Sequence, residues 1–269
     1  MKKTILTTLL FLFMGLSNLL AKDISTYLVG EYVDTKTASA KLQEAGFEVI
    51  AEYASVKDGV TLVFTNEALK KEAAKPNRAN AAVLRLFVDK KEKMISFTNP
   101  IYFGKAFMQD EYNAKVFEAE LATINKAFPN LKDSIDKLDE DAIAEYHFMM
   151  GMPYYEDSDK LAEGSNAELL EKARTYKNGK LLVFELKLSE NSTLLGYDLA
   201  KRTKKFVKKI GRANAAVLPY CISIEDGKAS SLEAKYYLAV SYPLLTMSTF
   251  TTIATVPGAI KKDLAKAFK

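Results

Sequence analysis

Short apolar runs separated by turn residues mark most of the chain, and their periods predict an alternation of strands and helices. Ser25–Val33 predicts a strand, and Thr37–Ala45 a helix stopped by Gly46. Phe47–Tyr53 and Val60–Thr65 predict a hairpin about Asp58-Gly59. Ala82–Val88 and Met94–Thr98 predict a second hairpin. From Ala114 to Phe128 the residues Val116, Phe117, Leu121, Ile124 and Phe128 fall on one side of a closing helix. The order is β-α-β-β-β-β-α. Strands such as Val60–Phe64 and Val83–Val88 are apolar on both sides, which is the pattern of a sheet buried on both faces.

The heptapeptide Arg78-Ala79-Asn80-Ala81-Ala82-Val83-Leu84 recurs unchanged as Arg212-Ala213-Asn214-Ala215-Ala216-Val217-Leu218. At the same spacing Ser96 answers Ser230 and Tyr102 answers Tyr236. Leu62-Val63-Phe64 answers Leu182-Val183-Phe184 at a shorter spacing, and Lys126-Ala127-Phe128 answers Lys266-Ala267-Phe268 at a longer one. A duplication follows as the expectation. The second copy closes with a helix over Ala259–Phe268 and carries a basic insertion near 186–210. In that stretch Leu195, Leu199, Phe206 and Ile210 have helical spacing, and Lys201–Lys209 supply the charge. The expected fold class is α+β: two repeats with antiparallel sheets, helices on one face, and the other face covered by the sister copy in a pseudo-twofold tandem. The expected boundaries are 22–130, a connector over 131–145, and 146–269.

The N-terminus adds a compartment. Lys2 and Lys3, the apolar run Ile5–Leu16 and the small residue Ala21 have the order of a secretory signal peptide over 1–21. The run is shorter than the ~20 residues of a membrane span, with an uncleaved anchor as the alternative. A periplasmic location is the simplest reading. The formal charge of +4, about +2 without Lys2 and Lys3, gives nucleic acid no purchase as a partner. One cysteine, Cys221, precludes an intramolecular disulfide and sits in an apolar run that reads as a core strand.

Phe64-Thr65-Asn66 with Leu69, then Val83–Asp89, then Phe97-Thr98-Asn99-Pro100-Ile101-Tyr102-Phe103 resemble a bacterial family known as domain of unknown function 302. Ala45–Val49 resembles its helix-to-strand junction. The resemblance implies a β-α-β(4)-α fold similar to the TATA-binding-protein class and brings no activity with it. It covers about Ser25–Met108 and only part of the second copy, where Leu232-Glu233-Ala234 replaces Thr98-Asn99-Pro100.

Candidate chemistry is sparse. Tyr146–Tyr155 holds His147, Met149 and Met152; imidazole and thioether suit copper, with haem as a weaker variant, although a strand opening the second copy accounts for the same residues. Arg78, Asn80, Arg212 and Asn214 offer two Arg/Asn pairs for an anionic ligand, or caps at the strand entries. The basic stretch suits a membrane surface or an acidic partner, or simply a solvated face. No nucleophile elbow, Walker loop or zinc-spaced set is present, so no catalytic residue is assigned. The leading expectation is a non-enzymatic binding or accessory protein for a small molecule or protein partner. Metal or haem handling stands second, and an enzyme of unknown reaction third.

Overall fold

Local chemistry stops the first helix where the sequence predicts and starts it two residues earlier, at Thr35. In the computed structural model, which describes residues 22–269, Asp34 caps helix α1 (Thr35–Glu44) by accepting from the Thr37 amide at 3.1 Å. Gly46 ends it at φ +91°, a conformation that costs glycine nothing. The leader expected over 1–21 lies outside the described residues.

Strands β1 (Asp23–Ser25) and β2 (Tyr27–Glu31) precede α1; β3 (Glu48–Val56) and β4 (Gly59–Thr65) follow it as the first hairpin. The turn differs from the expected Asp58-Gly59 in one respect. Lys57 and Asp58 make it, with Asp58 at φ 58°, and Gly59 is already paired with Val56. Glycine is needed there for close approach, because a Cβ would lie 2.6 Å from the Phe87 ring. Helix α2 (Glu67–Ala73) then leads to β5 (Leu84–Asp89) and β6 (Met94–Thr98), α3 (Pro100–Met108) and α4 (Ala114–Ala127). Asn99 caps α3 ahead of Pro100, and its amide ties the helix start to the Ser25 carbonyl at 2.8 Å.

With β7 (Lys132–Asp133) these strands form an antiparallel six-stranded sheet, β3-β4-β5-β6-β2-β7. A short strand β8 (Lys137–Asp139) pairs with β1. The second half contains β9 (Asp159–Glu163), α5 (Asn166–Thr175), β10 (Leu182–Lys187), β11 (Ser192–Tyr197), α6 (Val207–Ile210), β12 (Tyr220–Glu225) and β13 (Lys228–Ser231). Helices α7 (Ala234–Ser241), α8 (Met247–Thr251) and α9 (Val256–Ala265) complete it. Its antiparallel sheet runs β10-β11-β12-β13-β9. Position for position this is the order β3-β4-β5-β6-β2, and the fold class is α+β.

Two expectations change. Leu182-Val183-Phe184 lies in edge strand β10, the place of β3, and not in the inner place of Leu62-Val63-Phe64. An apolar triplet fits any strand; Leu62 and Val63 are fully buried, whereas Leu182 and Val183 are half-buried. The helix expected from Leu195 to Ile210 is not formed either. Leu195 is an inner residue of β11, and only Thr203–Ile210 turns helically. The basic segment Lys201–Lys209 follows β11 as α2 follows β4.

Register assigns the faces. Leu28, Leu62, Leu86 and Phe97 line up across the first sheet beneath α1 and α4, where Phe128 meets Phe97 at 4.8 Å between ring centroids. In the second sheet Tyr197 faces its own helices and donates to the Ala173 carbonyl at 2.9 Å. The opposite faces look at each other: Arg85 on β5 reaches Cys221 on β12 at 3.0 Å. Between the sheets lie two 3-10 turns, Ala79–Ala82 against β11 and β12, and Arg212–Val217 against β5 and β6. Each copy of the heptapeptide therefore packs on the sheet of the other half. Tyr102 of α3 donates to the Val240 carbonyl of α7 at 2.8 Å, and Tyr236 of α7 donates to the Ala106 carbonyl of α3 at 3.0 Å. Among the described residues no helix is long and apolar enough to cross a membrane.

Candidate functional site

The two arginines of the heptapeptide both lie at the seam between the halves, with unlike partners. Arg78 is 8% exposed; its two terminal nitrogens donate to Glu156 at 2.9 Å and Asp110 at 3.0 Å, and it lies over the Tyr155 ring at 5.4 Å. Arg212 donates to the Lys57 carbonyl at 2.9 Å and to Asp89 at 2.8 Å. Arg78 thus has both terminal nitrogens on carboxylates, whereas Arg212 spends a single terminal nitrogen on Asp89 and the Lys57 carbonyl. Of Asn214 only the backbone is described. Asn80 lies against the Tyr155 phenol and lines a cavity.

That cavity is the feature that the seam builds. A recess of about 100 Å³ is walled by Asn77, Ala79 and Asn80 from the first half, and by Tyr155, Ser223 and Ser230 from the second. It opens onto a cleft of about 550 Å³ that shares Asn77, Glu156, Ser158 and Ser230 with it. The outer cleft adds Lys160, Glu163, Glu225, Asp226 and Lys228. Strand register brings Ser223 opposite Ser230, their hydroxyls 2.9 Å apart. The Tyr155 hydroxyl donates to the Asn77 carbonyl at 2.6 Å, and Asn77, at φ 59°, turns its amide to both oxygens of Glu225 at 3.2 Å. Burial raises the Glu225 carboxyl above its ordinary range, against the pull of that amide. Burial also pushes the Tyr155 phenol well up, so it stays a neutral donor. The lining is hydroxyls, amides and carboxylates, with more acidic than basic groups. Such a set hydrogen-bonds a small polar molecule, neutral or cationic, and repels a strongly anionic one.

The His147 segment is arranged otherwise than expected. Residues 146–155 form turns, not a strand, and β9 opens the second sheet instead. The shared strand face for His147 and Met149 is therefore lost, because Gly151 at φ +82° bends the chain there. His147 lies tilted against Tyr154 with ring centroids 4.3 Å apart; its nitrogens face the Tyr154 hydroxyl and the Glu145 carbonyl, each at 3.4 Å. Met149 is 42% exposed and Met152 half-buried. Among the described residues no three His, Cys, Asp or Glu side chains gather as a metal set. Cys221 is buried as expected, and its sulfur accepts from Arg85.

Sequence reasoning named Arg78 and Asn80 and missed Tyr155, Ser158, Ser223, Ser230 and Glu225. A signal existed for two of these: Ser223 and Glu225 alternate with Ile222 and Ile224 on β12, marking one polar face on an inner strand. Comparison with protein-family models, with curated proteins and with solved structures found no match, so the reading of the site rests on its own residues.

Proposed function

We propose that the chain is an exported, non-enzymatic binding or accessory protein, made by duplication of one α+β unit and related to the domain of unknown function 302 family. Its ligand, a small polar molecule, sits where the first half's Asn77–Asn80 turn meets the second half's sheet. The observation that carries this reading is the recess with hydroxyl and amide walls drawn from both halves. Duplication is supported by the identical heptapeptides, by the matching strand orders, and by the reciprocal tyrosine bonds from the third residue of α3 and of α7. Export is supported by the leader pattern of residues 1–21.

Thermal-shift measurement against polyols, amino acids and amines tests the reading, with Ser223→Phe as the blocked variant. A ligand present at a hundred times its Kd adds about 2.7 kcal/mol and raises Tm accordingly. The rise should vanish in Ser223→Phe. A rise unchanged in that variant, or none with any of the three classes, would refute the assignment.

A further inference from the structure

Lys201 and Lys204, at the start of the basic segment, line a second cleft, remote in composition from the one at the seam. It measures about 540 Å³ and is floored by Tyr176, Leu181, Leu199 and Ala200, with Lys177, Lys201, Lys204 and Lys266 around it. Two aspartates, Asp198 and Asp263, also line it, and each already holds a lysine. Asp198 holds the Lys204 ammonium at 2.7 Å and accepts from the Tyr53 hydroxyl. Asp263 takes the Thr203 hydroxyl at 2.6 Å, the Ala200 amide at 3.2 Å and the Lys266 ammonium at 3.0 Å.

Those bonds fix the 198–204 loop and two of the lysines. Lys177 and Lys201 are left over: among the described residues neither has a carboxylate within ion-pair range. Lys177 sits in a turn where it and Asn178 both adopt left-handed backbone, φ 50° and 55°. Lysine seldom takes that conformation, so its placement at the cleft is set by the backbone and not by its stem alone. Lysine stems extend an apolar floor while their heads stay at the rim. An apolar floor with surplus positive charge at its edge matches one kind of ligand, and the volume is that of a small-molecule site.

We propose that this cleft binds an amphipathic anion, an acidic head on an apolar body, with Lys177 and Lys201 at the head and Leu181, Leu199 and Tyr176 under the body. The site is independent of the polar recess at the seam. Dodecanoate is the probe, measured by titration calorimetry below its micelle concentration. A single site is expected, at least tenfold tighter than for dodecyltrimethylammonium, which has the same tail and the opposite charge. Acetate, the head without the tail, should not bind. Lys177→Gln with Lys201→Gln should weaken dodecanoate at least tenfold, and Ala200→Trp, which fills the cleft and keeps every lysine, should abolish it. Equal affinity for the two detergents, or full affinity in Ala200→Trp, overturns the proposal. So does binding to phosphatidylglycerol vesicles without binding of dodecanoate, which would make the lysines a membrane-facing charge patch.

Discussion

Removing one hydroxyl at a time from the paired tyrosines of α3 and α7 should give unequal losses, although the two bonds look alike. Tyr102 and Tyr236 are each 1% exposed or less, and each donates to a carbonyl in the last turn of the other helix, where intrahelical donors have run out. The difference lies in the acceptors. The Ala106 carbonyl also takes the Gln109 side-chain amide at 2.6 Å, so it keeps a partner when Tyr236 becomes Phe. Among the described residues the Val240 carbonyl takes no second side chain, and it is left buried and unpaired when Tyr102 becomes Phe. A buried acceptor left unsatisfied costs about 1–3 kcal/mol, and a net hydrogen bond about 1 kcal/mol. Tyr102→Phe should therefore lose about 2 kcal/mol and Tyr236→Phe about 1 kcal/mol. Urea unfolding followed by far-ultraviolet circular dichroism measures both; each kcal/mol should also lower Tm by about 2–4 °C for a chain of this size. One cooperative transition is expected for wild type and variants, because the bonds join the halves. Equal losses, a reversed order, or separate transitions for the two halves would refute the argument.

The same logic separates the two heptapeptide arginines. Arg212→Ala leaves Asp89, a carboxylate with no exposed surface, without its counter-ion and held only by the Lys91 and Glu92 amides, and should cost about 3–5 kcal/mol, whereas Arg78→Ala releases Glu156 and Asp110 into water and should cost about 1–2 kcal/mol; the urea midpoints rank them. Glu120 of α4 is buried, and burial raises its carboxyl above the ordinary 4.5 against the pull of the Asn66 amide. Its contribution is fully present below the unfolded value and is lost as pH rises past it. Glu120→Gln, which keeps an acceptor for Asn66, should accordingly be more stable than wild type at pH 7 and level with it near pH 4; a constant difference across that range would argue against this. Gly59→Ala forces a Cβ to within 2.6 Å of the Phe87 ring and should cost about 1–3 kcal/mol, recovered in part by Phe87→Leu.

Much of the architecture was legible because it depends on short-range chemistry. The two hairpins of the first half, the Gly46 stop of α1, and the apolar stripe of α4 are set by residues within a few positions of one another. The strands that are apolar on both sides also reported truthfully that a second layer covers them. Tertiary structure decided what local pattern leaves degenerate. Leu182-Val183-Phe184 and Leu62-Val63-Phe64 carry the same apolar signal, and only pairing makes one an edge and the other an inner strand. The helical spacing of Leu195 and Leu199 yielded to β-pairing of Ser192–Tyr197 with β12, because Leu195 is buried opposite Ile222 and needs two strand neighbours. The Met-rich segment read as a strand, and no free sheet edge receives it. Identical arginines acquired unlike counter-ions, since Arg78 meets the turn before β9 at Glu156 while Arg212 meets the end of β5 at Asp89. The polar recess was hidden for the same reason: its walls come from residues near 80, 155 and 225, and only the packing of one half on the other brings them together.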